Sequence, residues 1–330
     1  MTDPHVLLAG SWRATGADTA EALAAVAHGI RERRPDTQVS SVVLGRGKDF
    51  AAALDSLGEG GPRPVLVADG PTQEVGRALA AAAEQGTRVV LEGGHPSHPD
   101  AGLGMLGALT GAELPHDHRI AHALPEALVE ARRRVAGLDL LMAASTNRPL
   151  LGMASVLAVD PDLSARQDQD RAFTSALLAG FAAAAPARHL LALAGQDQDT
   201  HRVPARAAGS GAGGGVGAVV LALGGRLAPT GEVLRDLLDL DAKVSGADLV
   251  VVLEPRLDSP LLAEATLDTV SAVAAAHALP CVAVATSSSL SRHECAQWGL
   301  HGVLLTHDEG DDLRGLREAG VRLAHTWLPE

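Results

Sequence analysis

The amino-acid sequence predicts an α/β protein of about two domains, and three observations carry that expectation. At roughly 100–200 residues per domain, a chain of 330 residues suggests about two, with ample length for a large buried core. Both chain ends alternate short apolar runs with helical patterns, the rhythm of a parallel sheet. The middle has another texture: Gly/Pro/His-rich loops, an acidic loop over Asp160–Arg171 and an Ala-rich helix near Thr174–Ala185.

The first strand is expected at His5–Gly10, an apolar run closed by glycine. A polar turn leads to a helix over Thr19–Arg34, in which Leu23, Val26 and Ile30 recur on one face. Ser41–Gly45 reads as the second strand, and a Gly/Lys-rich turn delivers the chain into a helix over Phe50–Leu57. In the middle, the apolar strand Val89–Leu91 runs through a glycine-rich loop into a helix, and Ala218–Gly224 has helical propensity. Near the C-terminus, Asp248–Leu253, Pro280–Ala285 and Gly302–Thr306 read as strands, with helices over Leu262–His277 and His293–Trp298 between them. Strand-rich ends that meet in one sheet leave the middle to fold separately. The predicted division is therefore 1–58 with 232–330, and 59–231 as an inserted central α/β domain with glycine-rich loops.

Charge and cysteine usage exclude several functions. A net charge of −13, without a cluster of five basic residues, repels phosphate backbones and anionic membranes, so neither nucleic acid nor a membrane is an expected partner. Two cysteines, Cys281 and Cys295, build neither a disulfide framework nor a Cys-x-x-Cys zinc site. Met1–Pro4 lacks the basic start of a signal peptide, and no run of about 18 apolar residues occurs. The expected compartment is the cytoplasm.

Four segments could carry chemistry. Gly209-Ser210-Gly211-Ala212-Gly213-Gly214-Gly215-Val216-Gly217 precedes a helix, so its backbone could approach an anion and the helix N–H groups could face a phosphate. It lacks the Gly-Lys-Ser/Thr of a Walker loop and reads equally as a flexible connector. Glu92-Gly93-Gly94-His95-Pro96-Ser97-His98-Pro99-Asp100 lies at a strand's carboxyl end, where ligands bind in open sheets; His95, His98 and Asp100 are metal ligands by type, and a polar surface turn is the plainer reading. Glu254-Pro255-Arg256-Leu257-Asp258 follows an apolar strand with an acid, a base and a second acid, suited to magnesium or to a hydroxyl proton, or else to a surface ion pair. His118 and His122 stand four apart in His116–His122, a spacing that could ligate zinc in a hydrolase, though no acidic base lies among them. Ser287-Ser288-Ser289 lacks the glycines of a nucleophile elbow, and Cys281 reads as a buried structural thiol.

In order, these motifs resemble the ATP-dependent bacterial glycerate kinases of the first type over nearly the whole chain. Val203-Pro204 with Gly209–Gly217 is similar to that family's Pro-Gly-Ala-Gly-Ala-Ala-Gly-Gly-x-Gly segment. Glu254–Ser259 resembles its Gly-Glu-Gly-x-x-Asp-x-Gln/Ser signature, and Gly93-Gly94 through Asp100–Leu106 its Gly-Gly-Ser-Ala-Thr-Asn-Asp-Gly-Gly-x-Gly-Met loop. Asn147-Arg148-Pro149-Leu150 is similar to its Cys-Asp-Val-x-Asn-Pro-Leu.

The chain also departs from the family. Asp-Ser-x-Lys is replaced by Gly10-Ser11-Trp12-Arg13, and Ala-Asp-Gly-Gly-Glu-Gly-Thr by Leu44-Gly45-Arg46-Gly47-Lys48-Asp49-Phe50, so a carboxylate pair becomes a cationic turn. The stretch between Leu57 and Gly86 is shorter than the family's.

The resemblance implies a two-domain glycerate kinase-like fold, with a flavodoxin-like domain from both chain ends. It implies ATP and Mg2+ as cofactors and phosphorylation of glycerate or a related hydroxy acid; independently of it, a sheet edge or the Ala-rich helix could make a homodimer. Asp100 and Asp258 would be catalytic, and Glu254 with Asp258 would hold metal. Ser11, Arg13, Gly93, Gly94, Arg148, Gly211, Gly213, Gly214, Gly215, Gly217 and Arg256 would bind substrate or phosphate, with Lys48 a further cation. The lost acids motivate a second expectation, a catalytically silent homologue that binds ligand and regulates.

Overall fold

The computed structural model describes residues 3–13, 17–96, 99–158, 167–184, 203–258, 266–306 and 312–328. The chain opens with β1 (His5–Gly10), α1 (Thr19–Arg33), β2 (Gln38–Val43) and α2 (Lys48–Asp55). Then follow β3 (Arg63–Leu66), α3 (Gln73–Gln85), β4 (Val89–Gly93), α4 (Leu103–Thr110), α5 (Ile120–Arg134), β5 (Leu141–Ala144), α6 (Gln167–Ala184), α7 (Val216–Ala222) and β6 (Arg226–Pro229). It closes with α8 (Thr230–Leu237), α9 (Leu240–Ser245), β7 (Leu249–Leu253), β8 (Arg256–Leu257), α10 (Leu267–Ala276), β9 (Cys281–Ala285), β10 (Ser287–Ser288), α11 (Arg292–Gln297), β11 (Gly302–Leu305) and α12 (Asp312–Trp327). Two compact units result: Met1–Glu59 with Thr230–Glu330, and Gly60–Pro229.

The first unit holds a five-stranded sheet in the order β11-β9-β7-β1-β2, every neighbouring pair parallel. β7 and β9 are buried along their whole length, which is why they read as continuous apolar runs. From β1 the chain steps outward to β2 on one side, and from β7 through β9 to β11 on the other. The order therefore reverses between β1 and β7, and a reversal of this kind opens a crevice at the carboxyl ends of the two strands. β2 starts at Gln38, three residues before the sequence expectation, because an edge strand exposes polar residues that do not look like strand.

Side-chain chemistry sets the helix starts and packing. Asp18 accepts from the Glu21 N–H while Glu21 reaches back to the Asp18 N–H, a capping box that begins α1. Ser291 and Glu294 do the same for α11. α1 crosses α12 with glycine on both sides: a Cβ added at Gly29 would lie 1.9 Å from the Arg317 carbonyl oxygen, and one at Gly320 would lie 2.2 Å from that of Val26. Arg317 also pairs with Glu32 across these helices at 2.8 Å.

The second unit has a four-stranded parallel sheet, β3-β4-β5-β6. Leu79, Leu91, Leu106, Leu124, Met142 and Val219 lie in its core. Arg132, in the last turn of α5, donates from Nε to the Ala222 carbonyl and from Nη2 to the Ala184 carbonyl, both at 2.8 Å. One guanidinium thereby satisfies carbonyls at the ends of α7 and α6 that have no partner within their own helices. α6 begins at Gln167, so the end of the segment expected as an acidic loop is helical; residues 160–166 lie outside the described residues. Among the described residues, no helix is long and apolar enough to cross a membrane.

Candidate active site

In the first unit the crevice between β1 and β7 gathers Ser11, Arg13, Arg46, Asp49 and Glu254. Gly10 ends β1 at φ +127, and a Cβ there would lie 2.2 Å from the Leu253 carbonyl oxygen. Glycine thus lets the chain pass close against β7, where the Ser11 N–H donates to that same carbonyl at 3.0 Å. Trp12 follows, only 1% exposed, its indole N–H without a hydrogen-bond partner among the described residues.

Asp49 lies in the first turn of α2, where the helix dipole favours a negative charge. The Ser11 hydroxyl donates to its Oδ2 at 2.6 Å, and Arg13 Nε stands 3.6 Å from the same oxygen. Gly45 makes this contact possible, since a Cβ there would lie 2.8 Å from the Cβ atoms of both Ser11 and Asp49. The sequence suggested a cationic turn, but α2 starts so that Lys48 is exposed and Asp49 is buried. Glu254, at the end of β7, has its carboxyl pushed up to about 7: burial is the main cause, Asp49 adds to it, and Arg46 opposes it.

Past the carboxyl ends of β7 and β9, β8 and β10 pair as a short parallel ribbon carrying Arg256, Asp258 and the serine run. Ser289 Oγ donates to Asp258 Oδ1 and Arg256 Nη2 to Oδ2, both at 2.7 Å. These bonds, Ser289 first and Arg256 next, hold the Asp258 carboxyl below its ordinary range. Asp258 is therefore placed to orient Arg256; nothing in the sequence pointed to Ser289 as its second partner.

The glycine-rich loop lies in the second unit and is buried from Gly209 to Gly217. Four of its glycine N–H groups have acceptors within the unit: Gly209 bonds the Asn147 carbonyl, Gly211 that of Arg148, Gly213 that of Gly94 and Gly215 that of Gly211. Gly215 sits at φ +112, where a Cβ would lie 2.5 Å from Ala101. The glycines serve a close backbone approach, and at Gly213 and Gly215 other parts of the chain make it. A Cβ at Gly93 would likewise lie 3.0 Å from Gly213, and Gly94 abuts Ser145.

Asp100 is engaged in the same unit. Its oxygens accept from the Thr72 N–H and hydroxyl and from the N–H groups of Gly102 and Gly104, fastening the β3–α3 loop to the start of α4. Asp100→Ala is expected to destabilise this unit by about 2 kcal/mol, with Asp100→Asn losing less because one acceptor oxygen survives. Urea titration followed by circular dichroism checks this; equal stability of the Ala variant would show that the bonds contribute nothing. Glu92, 4% exposed at the end of β4, accepts from Ser145 Oγ at 2.5 Å, a buried pair that the sequence did not mark. Arg148 Nη1 stands 3.5 Å from His95 Nε2, which leaves a basic pair at the carboxyl ends of β4 and β5.

His116 stacks on Phe173, and Asp117 pairs with Arg119 at 2.7 Å just ahead of α5. Among the described residues, no three His, Cys, Asp or Glu side chains are grouped to hold a metal; His98 lies outside them. Cys281 is buried in β9, which pushes its thiol up to about 12.

A model of the glycerate kinase family matches residues 59–326. Uncharacterized proteins of Mycobacterium bovis and Mycobacterium tuberculosis are each 29% identical over 255 residues, which is 77% of this chain and 60% of theirs. The chain thus spans about 60% of the length of these curated relatives. A crystal structure from Salmonella typhimurium LT2, provisionally named glycerate kinase 2, matches with a TM-score of 0.72 at 19% identity, covering 98% of both chains. At that identity the likeness speaks for the fold, a two-domain α/β architecture.

Proposed function

Because the chain belongs to the glycerate kinase family, we propose that it transfers the γ-phosphoryl group of ATP to glycerate or a related small hydroxy acid, giving a phosphoglycerate. The observation that carries this reading is the Ser11–Asp49–Arg13 group beside Glu254, at the switch point of a parallel sheet. Phosphoryl transfer needs an oriented hydroxyl, neutralisation of phosphate charge, and cations on the transferring oxygens. Mg2+ bound through nucleotide phosphates needs only one or two protein carboxylates, so Glu254 fits as its ligand. When bound, the ion would neutralise phosphate charge. Arg13 and Arg46 are placed to meet the anionic groups, and Arg256 is oriented by Asp258. The glycine loop shapes the second unit, and Asp100 holds its α4 start, so neither is assigned to phosphate or proton transfer.

The test is ADP release by purified protein with ATP, Mg2+ and D-glycerate. We expect glycerate-dependent turnover, with kcat/KM lowered about 100-fold in Arg13→Ala. The replacement of the family's Asp-Ser-x-Lys acid by Gly10 favours a second reading, a silent homologue. Binding of Mg·ATP in calorimetry without any ADP release would establish that alternative and overturn the kinase reading.

A further inference from the structure

The orientation of one hydrogen bond says what kind of group this crevice receives. A carboxylate only accepts, so the 2.6 Å contact between Ser11 Oγ and Asp49 Oδ2 consumes the only proton the serine can donate. What Ser11 offers a ligand is lone pairs. Its backbone N–H is likewise taken, by Leu253. Asp49 Oδ1 has no hydrogen-bond partner among the described residues. Ser11 is partly exposed, so its oxygen can be reached, whereas Asp49 is 9% exposed and held in place by the first turn of α2. Gly45 sets the spacing of the two side chains. A phosphate or carboxylate brought to Ser11 would set lone pairs against lone pairs.

We propose that Ser11 and Asp49 form an acceptor-only subsite for the hydroxyl groups of the substrate, while Arg13 takes the acid group. The ligand class is a small acid with adjacent hydroxyls, which donates at one end and accepts at the other. This deepens the kinase reading: it turns Ser11 from a phosphate contact into the group that holds the acceptor alcohol. Sites built to bond a hydroxyl reject the analogue lacking it, because their polar groups are left unpaired.

The experiment is calorimetric binding of D-glycerate, lactate and propionate to the whole protein without nucleotide. The three ligands share the carboxylate and differ in hydroxyls. Glycerate is expected to bind at least about tenfold more tightly than propionate, with lactate between them. Ser11→Ala should cut the preference for glycerate over propionate several-fold and leave propionate binding unchanged. Ser11→Thr keeps the hydroxyl and should restore the preference. Gly45→Ala, whose Cβ would press on both side chains and part them while leaving both residues in the sequence, should weaken it. Equal binding of glycerate and propionate by the parent protein, an unchanged ratio in Ser11→Ala, or no glycerate binding at all would each overturn the subsite. Turnover is not read, so a protein that discriminates hydroxyls yet releases no ADP keeps the subsite and loses only the kinase reading.

Discussion

Glu254→Gln is expected to stabilise the protein above pH 8 and to leave it unchanged below pH 4. The ordinary midpoint of a Glu carboxyl is 4.5, and in the fold burial moves that of Glu254 to about 7. Below 4.5 both states carry the proton, so stability does not depend on this group. Between 4.5 and about 7 the folded state keeps a proton that the unfolded chain has lost, and stability falls as pH rises. Above about 7 the folded protein must hold a charge in a poorly solvated place, and the full cost is present. Allowing for the water that reaches a partly buried carboxyl, that cost is about 2–3 kcal/mol. Glutamine has nearly the same shape and no charge, so it removes the pH dependence and restores that amount at high pH. Urea midpoints of parent and variant at pH 4, 6 and 8.5 check this; a gap that is constant across the series would show that Glu254 ionises normally.

Gly320→Ala and Gly29→Ala should each destabilise the first unit by about 3 kcal/mol or more. Helix propensity alone says the reverse, because alanine is favoured over glycine in a helix interior by about 1 kcal/mol. Contact geometry decides the sign. The added Cβ would meet a carbonyl oxygen at 2.2 Å for Gly320 and 1.9 Å for Gly29, and a backbone atom inside a neighbouring helix cannot rotate away as a side chain can. Relief requires α1 and α12 to separate, which opens the packing of Val26, Ile30, Leu316 and Leu323 and strains the Arg317–Glu32 pair. With a urea dependence of about 2 kcal/mol per molar, the midpoint falls by about 1.5 M. A midpoint within 0.3 M of the parent's, taking roughly that resolution as the limit of the method, would mean that the helices shift without penalty.

Elements with continuous apolar runs were legible in the sequence because burial on both faces of a parallel sheet leaves little freedom of residue type. β1, β7 and β9 stand where their runs predicted, and the edge strand β2 was trimmed for want of that signal. The candidate site was legible by place more than by partner. Glu254 and Ser11 do lie at carboxyl ends of neighbouring strands, but Asp49 was hidden inside what read as a cationic turn. Local sequence shows which charges are present, and only the phase of the following helix shows which of them turns inward. An aspartate in the first turn of α2, just before the buried Phe50, was the available clue. The glycine loop shows a different limit. Repeated glycine reports that something comes close to the backbone, and the sequence does not say whether it is a phosphate or, as with Gly213 and Gly215, another part of the chain.

Trp12 has an optical consequence. All three tryptophans, Trp12, Trp298 and Trp327, belong to the first unit, and the chain has no tyrosine. Emission excited in the indole band therefore speaks for the sheet that holds Ser11 and is blind to the unit of the glycine loop. Trp12 is joined to Ser11 by a single peptide bond and sealed from water, so a charged or polar occupant of the neighbouring crevice shifts the colour of its fluorescence without any added label.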